Sequence, residues 1–378
     1  MKGNSIHTNG KKNHGKKIRY AVVGLGHIAQ VAVLPAFKHA NNSQLCALVS
    51  DDPVKRHGLG RKYGVKYTYS YDEYDECLAG GYVDAVYIAL PNSMHCDYTV
   101  RAARAGIHVL CEKPMAVTER ECEQMIETAK QHRVKLMIAY RLHFEEANLK
   151  AVELAQSGKL GKVRLFNSVF TMQVRDKDIR LKRELGGGTL YDIGIYCINA
   201  VRYLFKEEPI EVTAFTASSG DRRFKEVEEM TGAILRFPDE RLAAFICSFG
   251  AADVSSYDVV GTKGRLRVEP AYEYVGELKH QLVVNGTEKT KKFSAKDQFA
   301  AELVYFSDCI LRDTQPEPSG IEGLIDVGII RSLYRSAEVG RPVPFRVAKK
   351  GRRPTLSQEI KRPPVKKPRL IHTVSPSL

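Results

Sequence analysis

No apolar run in the 378-residue chain approaches the ~20 residues that a spanning helix requires, so nothing in it calls for a membrane. The eight cysteines, Cys46, Cys77, Cys96, Cys111, Cys122, Cys197, Cys247 and Cys309, include no Cys-x-x-Cys pair and no histidine at zinc-ligand spacing. A metal site and a disulfide framework are unsupported, and the thiols read as reduced, mostly buried small hydrophobes. Residues 1–17 are basic but lack the roughly 7–15-residue apolar core of a secretory signal, which leaves the cytoplasm as the expected compartment. Acids are scarce at both ends. Residues 1–19 hold six Lys and Arg and no acid, and residues 346–378 hold ten against Glu359 alone. The formal net charge of +14 therefore sits in the ends, and residues 20–345 are close to neutral. A specific nucleic-acid partner loses its main support, and 1–17 and 346–378, rich in Gly, Asn, Pro and Lys, are expected to be disordered basic tails.

What remains is ordinary for a globular protein, with 43% hydrophobic and 27% charged residues, and its length suits two domains, drawn here as 18–140 and 141–345. The first is organised around Gly24-Leu25-Gly26-His27-Ile28-Ala29, which follows the apolar run Ile18 to Val23 and leads into a helix-like segment, His27 to Ala40. Two close glycines after a strand let the backbone turn sharply and approach a pyrophosphate, which the helix N-terminus then receives. A Gly-rich turn without a ligand is the bland alternative. Against it, Asp51 and Asp52 follow Ala29 by about 20 positions, where a ribose-binding carboxylate belongs.

Apolar runs then alternate with amphipathic ones: Leu45–Ser50 and Val54–Tyr63, Ala85–Leu90 and Met94–Ala105, Ile107–Cys111 and Thr118–His132, then Val134–Ala139. This is the pattern of a doubly wound parallel sheet, on which ligands lie beyond the carboxyl ends of the strands. Each strand end therefore supplies candidates. Asp51 suits the ribose of NAD, whereas Ser50 with Lys55 or Arg56 suits the extra phosphate of NADP; Asp52 reads equally as a helix cap. Leu90-Pro91-Asn92-Ser93-Met94-His95 places Asn92 or Ser93 at a cap and His95 toward the cleft or toward solvent. In Cys111-Glu112-Lys113-Pro114, a lysine ammonium beside a nicotinamide can hydrogen-bond a substrate oxygen and favour its alkoxide, though such pairs usually mark a solvated loop.

After Tyr140-Arg141-Leu142-His143-Phe144 the texture changes. A helix over Glu146–Gln156 gives way to alternating segments at Val163–Val174, Glu211–Thr216, Met230–Phe237, Leu242–Phe249, Tyr257–Val260 and Leu266–Glu269. These predict an open, mostly antiparallel sheet, closed by helices over Gln298–Leu311 and Ile321–Val339. Within this half lies Gly186-Gly187-Gly188-Thr189-Leu190-Tyr191-Asp192-Ile193-Gly194-Ile195-Tyr196. Asp192 and Tyr196, four apart, share one helical face and can enter a cleft together; alone, Tyr196 would read as a packed aromatic. The expected class is α/β followed by α+β, with the site between them.

Taken together, the Gly24-Leu25-Gly26 turn, Pro91-Asn92 with His95, Glu112-Lys113-Pro114, and the triple glycine followed by Asp192 resemble the Gfo/Idh/MocA oxidoreductase family over roughly residues 18–345. The resemblance implies an NAD(P)-dependent oxidoreductase acting on a sugar, polyol or related hydroxy-carbonyl substrate. It implies a catalytic or substrate-orienting Lys113, a cis peptide before Pro114, and Gly24, Gly26, His27, Ile28, Leu90, Pro91, Asn92, His95, Glu112, Lys113 and Arg141 around the cofactor. Tyr140, Arg141 and His143 resemble the family's substrate-side residues, although Arg141 could equally be an interdomain ion pair. Many members carry histidine where Tyr196 stands. The Asp-Ile-Gly-Ile-Tyr form resembles the subgroup of glucose-fructose oxidoreductase, NADP-dependent xylose dehydrogenases and dihydrodiol dehydrogenases, which favours a catalytic tyrosine and NADP, with NAD as the alternative. A homo-oligomer, dimer or tetramer, through the second sheet is expected. The competing reading is a regulator that keeps the dinucleotide domain without turnover; joint retention of Lys113, Asp192 and Tyr196 argues against it.

Overall fold

The computed structural model describes residues 15–347 and 353–378. Six strands, β1 (Ile18–Val23), β2 (Ser43–Val49), β3 (Tyr67–Tyr69), β4 (Ala85–Ile88), β5 (His108–Glu112) and β6 (Leu136–Ala139), form a sheet of order β3-β2-β1-β4-β5-β6, with every pair parallel. The order reverses between β1 and β4, so the cleft that takes ligands opens there. The helices on its faces are α1 (27–36), α2 (Pro53–Tyr63), α3 (Tyr74–Ala79), α4 (His95–Arg104) and α5 (Glu119–Gln131). Local chemistry sets their ends. Asp52 caps α2 ahead of Pro53, Gly64 ends it in the left-handed conformation, and Thr118 with Glu121 forms a capping box on α5. Helix α1 is shorter than the stretch to Ala40 expected for it, and over Ala29–Val33 it is wound as a π-helix.

Past the first sheet come α6 (Glu146–Gln156), β7 (Val163–Gln173), a π-turn (Leu190–Gly194) running into α7 (Ile195–Phe205), and then β8 (Glu211–Ala217), β9 (Met230–Phe237), β10 (Arg241–Ser248), β11 (Gly250–Gly261), β12 (Gly264–Val268), β13 (Leu278–Val284) and β14 (Thr287–Phe293). Helices α8 (Gln298–Leu311) and α9 (Gly320–Val339) and the short β15 (Val343–Pro344) follow. The nine-stranded sheet, β14-β13-β12-β11-β7-β10-β9-β8-β15, is antiparallel except for the parallel pair β7 and β10. The hairpin β13–β14 was not anticipated, because Thr287–Phe293 is almost wholly polar and exposed. Its turn, Asn285-Gly286 with both φ angles positive, is nonetheless the short-hairpin signal.

Helix α8, read as closing the second domain, packs instead on the first sheet. Phe299, Leu303 and Phe306 join Tyr20, Val22 and Tyr87 in one cluster, and the Tyr20 and Ser307 hydroxyls lie 2.8 Å apart. All eight cysteines are free, and all but Cys46 are buried. Among the described residues no helix is long and apolar enough to cross a membrane.

The C-terminal stretch departs from expectation. Residues 353–378 are no free tail. They run against the body as an extended segment with one short 3-10 turn, Leu356–Gln358. Of the stretch at the other end, 1–14 lie outside the described residues.

Candidate active site

Strand β1 ends at Val23, and the chain turns at Gly24 with a φ of 92°, a region that L side chains avoid. A Cβ there would stand 2.4 Å from the Ala89 carbonyl oxygen, so β1 and the chain leaving β4 meet only around glycine. Gly26 shows the reverse. A Cβ on it would meet nothing within 4 Å, and the residue lines a cleft of about 740 Å³. Helix α1 starts beside this space with its unpaired first-turn amides. His27 and Ile28 line the same wall. Burial first, then Arg180, pushes the His27 imidazole below its usual value, which keeps it neutral at physiological pH. Open space, amide donors and the carboxyl edge of the sheet fit a dinucleotide's pyrophosphate.

At the end of β2 the candidates separate, and Ser50 and Asp51 do not line the cleft. Asp51 accepts from the Tyr71 N–H at 2.7 Å, and Asp52 accepts from the Lys55 N–H at 3.1 Å, so the cap reading of Asp52 holds. Arg56 turns back to the Ser50 carbonyl at 2.9 Å, and Ser50 is buried. Of these side chains Lys55 lines the cleft. Its Nζ is 3.6 Å from Asp52.

Beyond β4, Leu90, Pro91 and Asn92 line the cleft, and the Asn92 amide donates to the Gly186 carbonyl at 2.8 Å, tying this loop to the triple glycine. His95 faces neither cleft nor solvent. It is fully buried, with its ring nitrogens 2.8 Å from the Pro114 carbonyl and 2.9 Å from the Leu90 carbonyl, so it braces the exits of β4 and β5. The peptide to Pro114 is cis. Glu112 lines the cleft and accepts from the Tyr87 hydroxyl at 2.8 Å; burial raises its carboxyl, against the pull of Lys113.

Lys113, Asp192 and Tyr196 come together. The Lys113 ammonium donates to the Asp192 carbonyl oxygen at 2.7 Å, lies 3.7 Å from its carboxylate, and stands 4.6 Å from the centre of the Tyr196 ring. The π-turn carries Asp192 to the cleft, and Tyr196 follows at the start of α7. Arg180 closes the group, its Nε 2.7 Å from Asp192. Burial works to raise the Asp192 carboxyl, but Arg180 and then Lys113 outweigh it and hold it below the usual carboxylate range. Arg141, buried among Gln298, the Tyr272 carbonyl and Tyr274, places its guanidinium 5.0 Å from the Tyr196 ring centre. It is therefore a wall of the site. Tyr140 and His143 do not line the cleft: Tyr140 is buried behind it, against a small cavity shared with Lys113 and Tyr196, and His143 lies between Glu317 and Asn199.

Reading the chain missed Arg180, Phe170, Tyr274 and the segment Thr373 to Ser377, all of which line the cleft. An arginine eight residues before the last glycine of the triplet is a signal for the first; no local signal marks the others.

A lysine, a carboxylate and a tyrosine gathered in the cleft that Gly26 lines, between a doubly wound sheet and an open mixed one, are the arrangement of a two-domain pyridine-nucleotide oxidoreductase. Comparison places it further. Residues 18–140 match a family model described as an oxidoreductase family with an NAD-binding Rossmann fold, and residues 148–267 match the GFO/IDH/MocA C-terminal domain. The chain belongs to the Gfo/Idh/MocA oxidoreductase family and is an NAD(P)-dependent oxidoreductase acting on CH–OH groups. It is 35% identical over 329 residues to the NADP(+) D-xylose 1-dehydrogenase of Haloarcula marismortui, covering 85% of this chain and 91% of the relative. The aldose-aldose oxidoreductase of Caulobacter crescentus, solved with glycerol, is 40% identical with a TM-score of 0.83, over 87% of this chain and all of that one. A trans-1,2-dihydrobenzene-1,2-diol dehydrogenase of Xenopus tropicalis is 25% identical over 82% of this chain and 92% of its own length. Nothing in these relatives favours a regulator without turnover.

Proposed function

We propose that the enzyme moves a hydride between NADP and a sugar or polyol carbon, with Tyr196 handling the proton of the reacting oxygen. The convergence of Lys113, Asp192 and Tyr196 beside the Gly26 bed carries this reading. The sugar class is supported by the two relatives named for aldoses, and NADP by Lys55 at the ribose end of the cleft. Bound NADP supplies the hydride acceptor. The rest falls to the chain. The Lys113 ammonium and the Arg141 guanidinium, both against the Tyr196 ring, put positive charge where the substrate oxygen becomes an alkoxide. Tyr196 exchanges the proton, and Asp192, pinned by Arg180, fixes Lys113 and offers a carboxylate to neighbouring hydroxyls. A panel of aldoses and polyols, followed by nicotinamide absorbance with NADP and NAD in parallel, tests it. Turnover of no member of the panel with either cofactor would overturn the reading.

The second sheet supports self-association. Phe215, Ile234, Leu242 and Ile246, on neighbouring strands β8, β9 and β10, stand about half exposed or more, a breadth of apolar surface that a lone subunit rarely leaves in water. A second copy packed on this face covers it. Eight free thiols suit the reducing cytoplasm, where we place the enzyme.

A further inference from the structure

Residues 353–378 touch both domains, and Thr373 to Ser377 among them line the cleft. The near end is anchored in a buried charge cluster. Arg202, fully buried, bonds Glu208, Glu322 and Asp326, and these carboxylates outnumber it. Arg353 brings a second guanidinium, contacting Glu208 and, at 3.1 Å, Glu322. The segment continues past Phe144, whose carbonyl accepts from the Ile360 N–H at 3.3 Å, and past the start of α8, where the Asp297 N–H donates to the Arg362 carbonyl at 3.1 Å.

It then docks on the dinucleotide domain. Gln30, buried in α1 just after the glycine turn, accepts from the Ile371 N–H at 2.8 Å and donates to the Ile371 carbonyl at 2.9 Å, as a neighbouring strand would. Lys62 donates to the Arg369 carbonyl at 3.0 Å, and His372 pairs with Asp52 at 2.5 Å, beside Lys55. Lys367 adds positive charge near His27. Last, the chain crosses to the second domain. The Arg175 N–H donates to the Pro376 carbonyl at 2.8 Å, Ser377 bridges Val174, and Thr373 to Ser377 form one wall of the cleft.

We propose that residues 369–378 are part of the cofactor site: a strap that forms the outer wall over the dinucleotide, so that NADP(H) leaves only after the strap lifts from Gln30 and Val174. This rests on the dinucleotide reading above. The buried Arg353 pairs hold the near end fast, since withdrawing one charge from such a cluster strands its partners. The far end, held by half-exposed hydrogen bonds, is the part that opens.

The test compares the full chain with a variant ending at Pro368, which keeps Arg353, Ile360 and Arg362, and with Gln30→Met, which removes the dock at similar volume. NADPH bound to each is chased with excess NADP, and the fluorescence decay gives the dissociation rate; thermal melting verifies that each variant is folded. Loss of several hydrogen bonds predicts dissociation at least about tenfold faster in the shortened chain, with Gln30→Met moving in the same direction. Equal dissociation rates in folded proteins would overturn the strap and leave the dinucleotide reading standing. Tighter binding by the shortened chain would overturn it also, by showing that the segment competes for the cofactor's place. Failure of all three proteins to bind NADPH would overturn both readings.

Discussion

Tyr196→Phe separates the two groups able to carry the proton. The ring touches much of its surroundings: the Lys113 ammonium at 4.6 Å and the Arg141 guanidinium at 5.0 Å from its centre, Phe170 edge-on at 5.5 Å, and Tyr272 at 5.9 Å. Phenylalanine keeps all of these, so packing and cofactor binding should be unchanged. Only the hydroxyl is removed. If it is the acid and base, kcat falls by ~100-fold or more, the low end of what a positioned proton donor supplies and equal to ~2.7 kcal/mol of barrier. KM for the sugar should shift far less, because the loss falls on the transition state. Lys113→Met is the partner experiment, as it removes both the donor to the Asp192 carbonyl and the cation over the ring. Steady-state rates with saturating NADP, and NADPH titrations for binding, measure both. Near wild-type turnover in Tyr196→Phe beside a dead Lys113→Met would refute the assignment and give the proton to Lys113.

Other outcomes follow from the same geometry. Lys55→Ala should weaken NADP by roughly 10- to 100-fold, the worth of a charge-assisted bond to phosphate of ~1.5–3 kcal/mol, and leave NAD almost unchanged; equilibrium titrations with each cofactor decide it. Asp192 has a lowered pKa in the folded protein, so it adds stability that is full above the ordinary aspartate value near 4 and is lost as pH falls through the folded value. Asp192→Asn should therefore lower the melting temperature at neutral pH and flatten the acid side of its pH dependence. Ile246→Lys, on the exposed apolar face, should reduce the mass measured by light scattering to that of one chain while the melting transition stays cooperative.

The residues that meet in the cleft were legible in the chain because each sits in a short motif at a strand or helix end. The glycine turn, Lys113 after β5, and Asp192 with Tyr196 required only local geometry and the rule that ligands lie at the carboxyl edge. His95 was harder, since a histidine between two loops shows its carbonyl partners only once both loops are in place. Residues 353–378 were misread for a clearer reason. Their composition is that of a solvated tail, and they are ordered by a few contacts at great separation: Arg353 with Glu208, 145 positions away, and Ile371 with Gln30, 341 positions away. Averages over charge and proline cannot register such partners. Helix α8 shows the same limit, as its apolar face gives no sign of which sheet it covers.

The buried cysteines have a practical consequence. Burial raises every one of the eight thiols, Cys96 to about 11 and Cys77 and Cys197 to about 12. Alkylating reagents attack the thiolate, so the native chain should take up maleimide slowly in its folded form. Val374, on the strap and 70% exposed, can be replaced by cysteine once Cys46, the one thiol that is not buried, is changed to serine. A fluorophore placed there would report the position of the strap in the unlabelled remainder of the enzyme, in real time and without crystals.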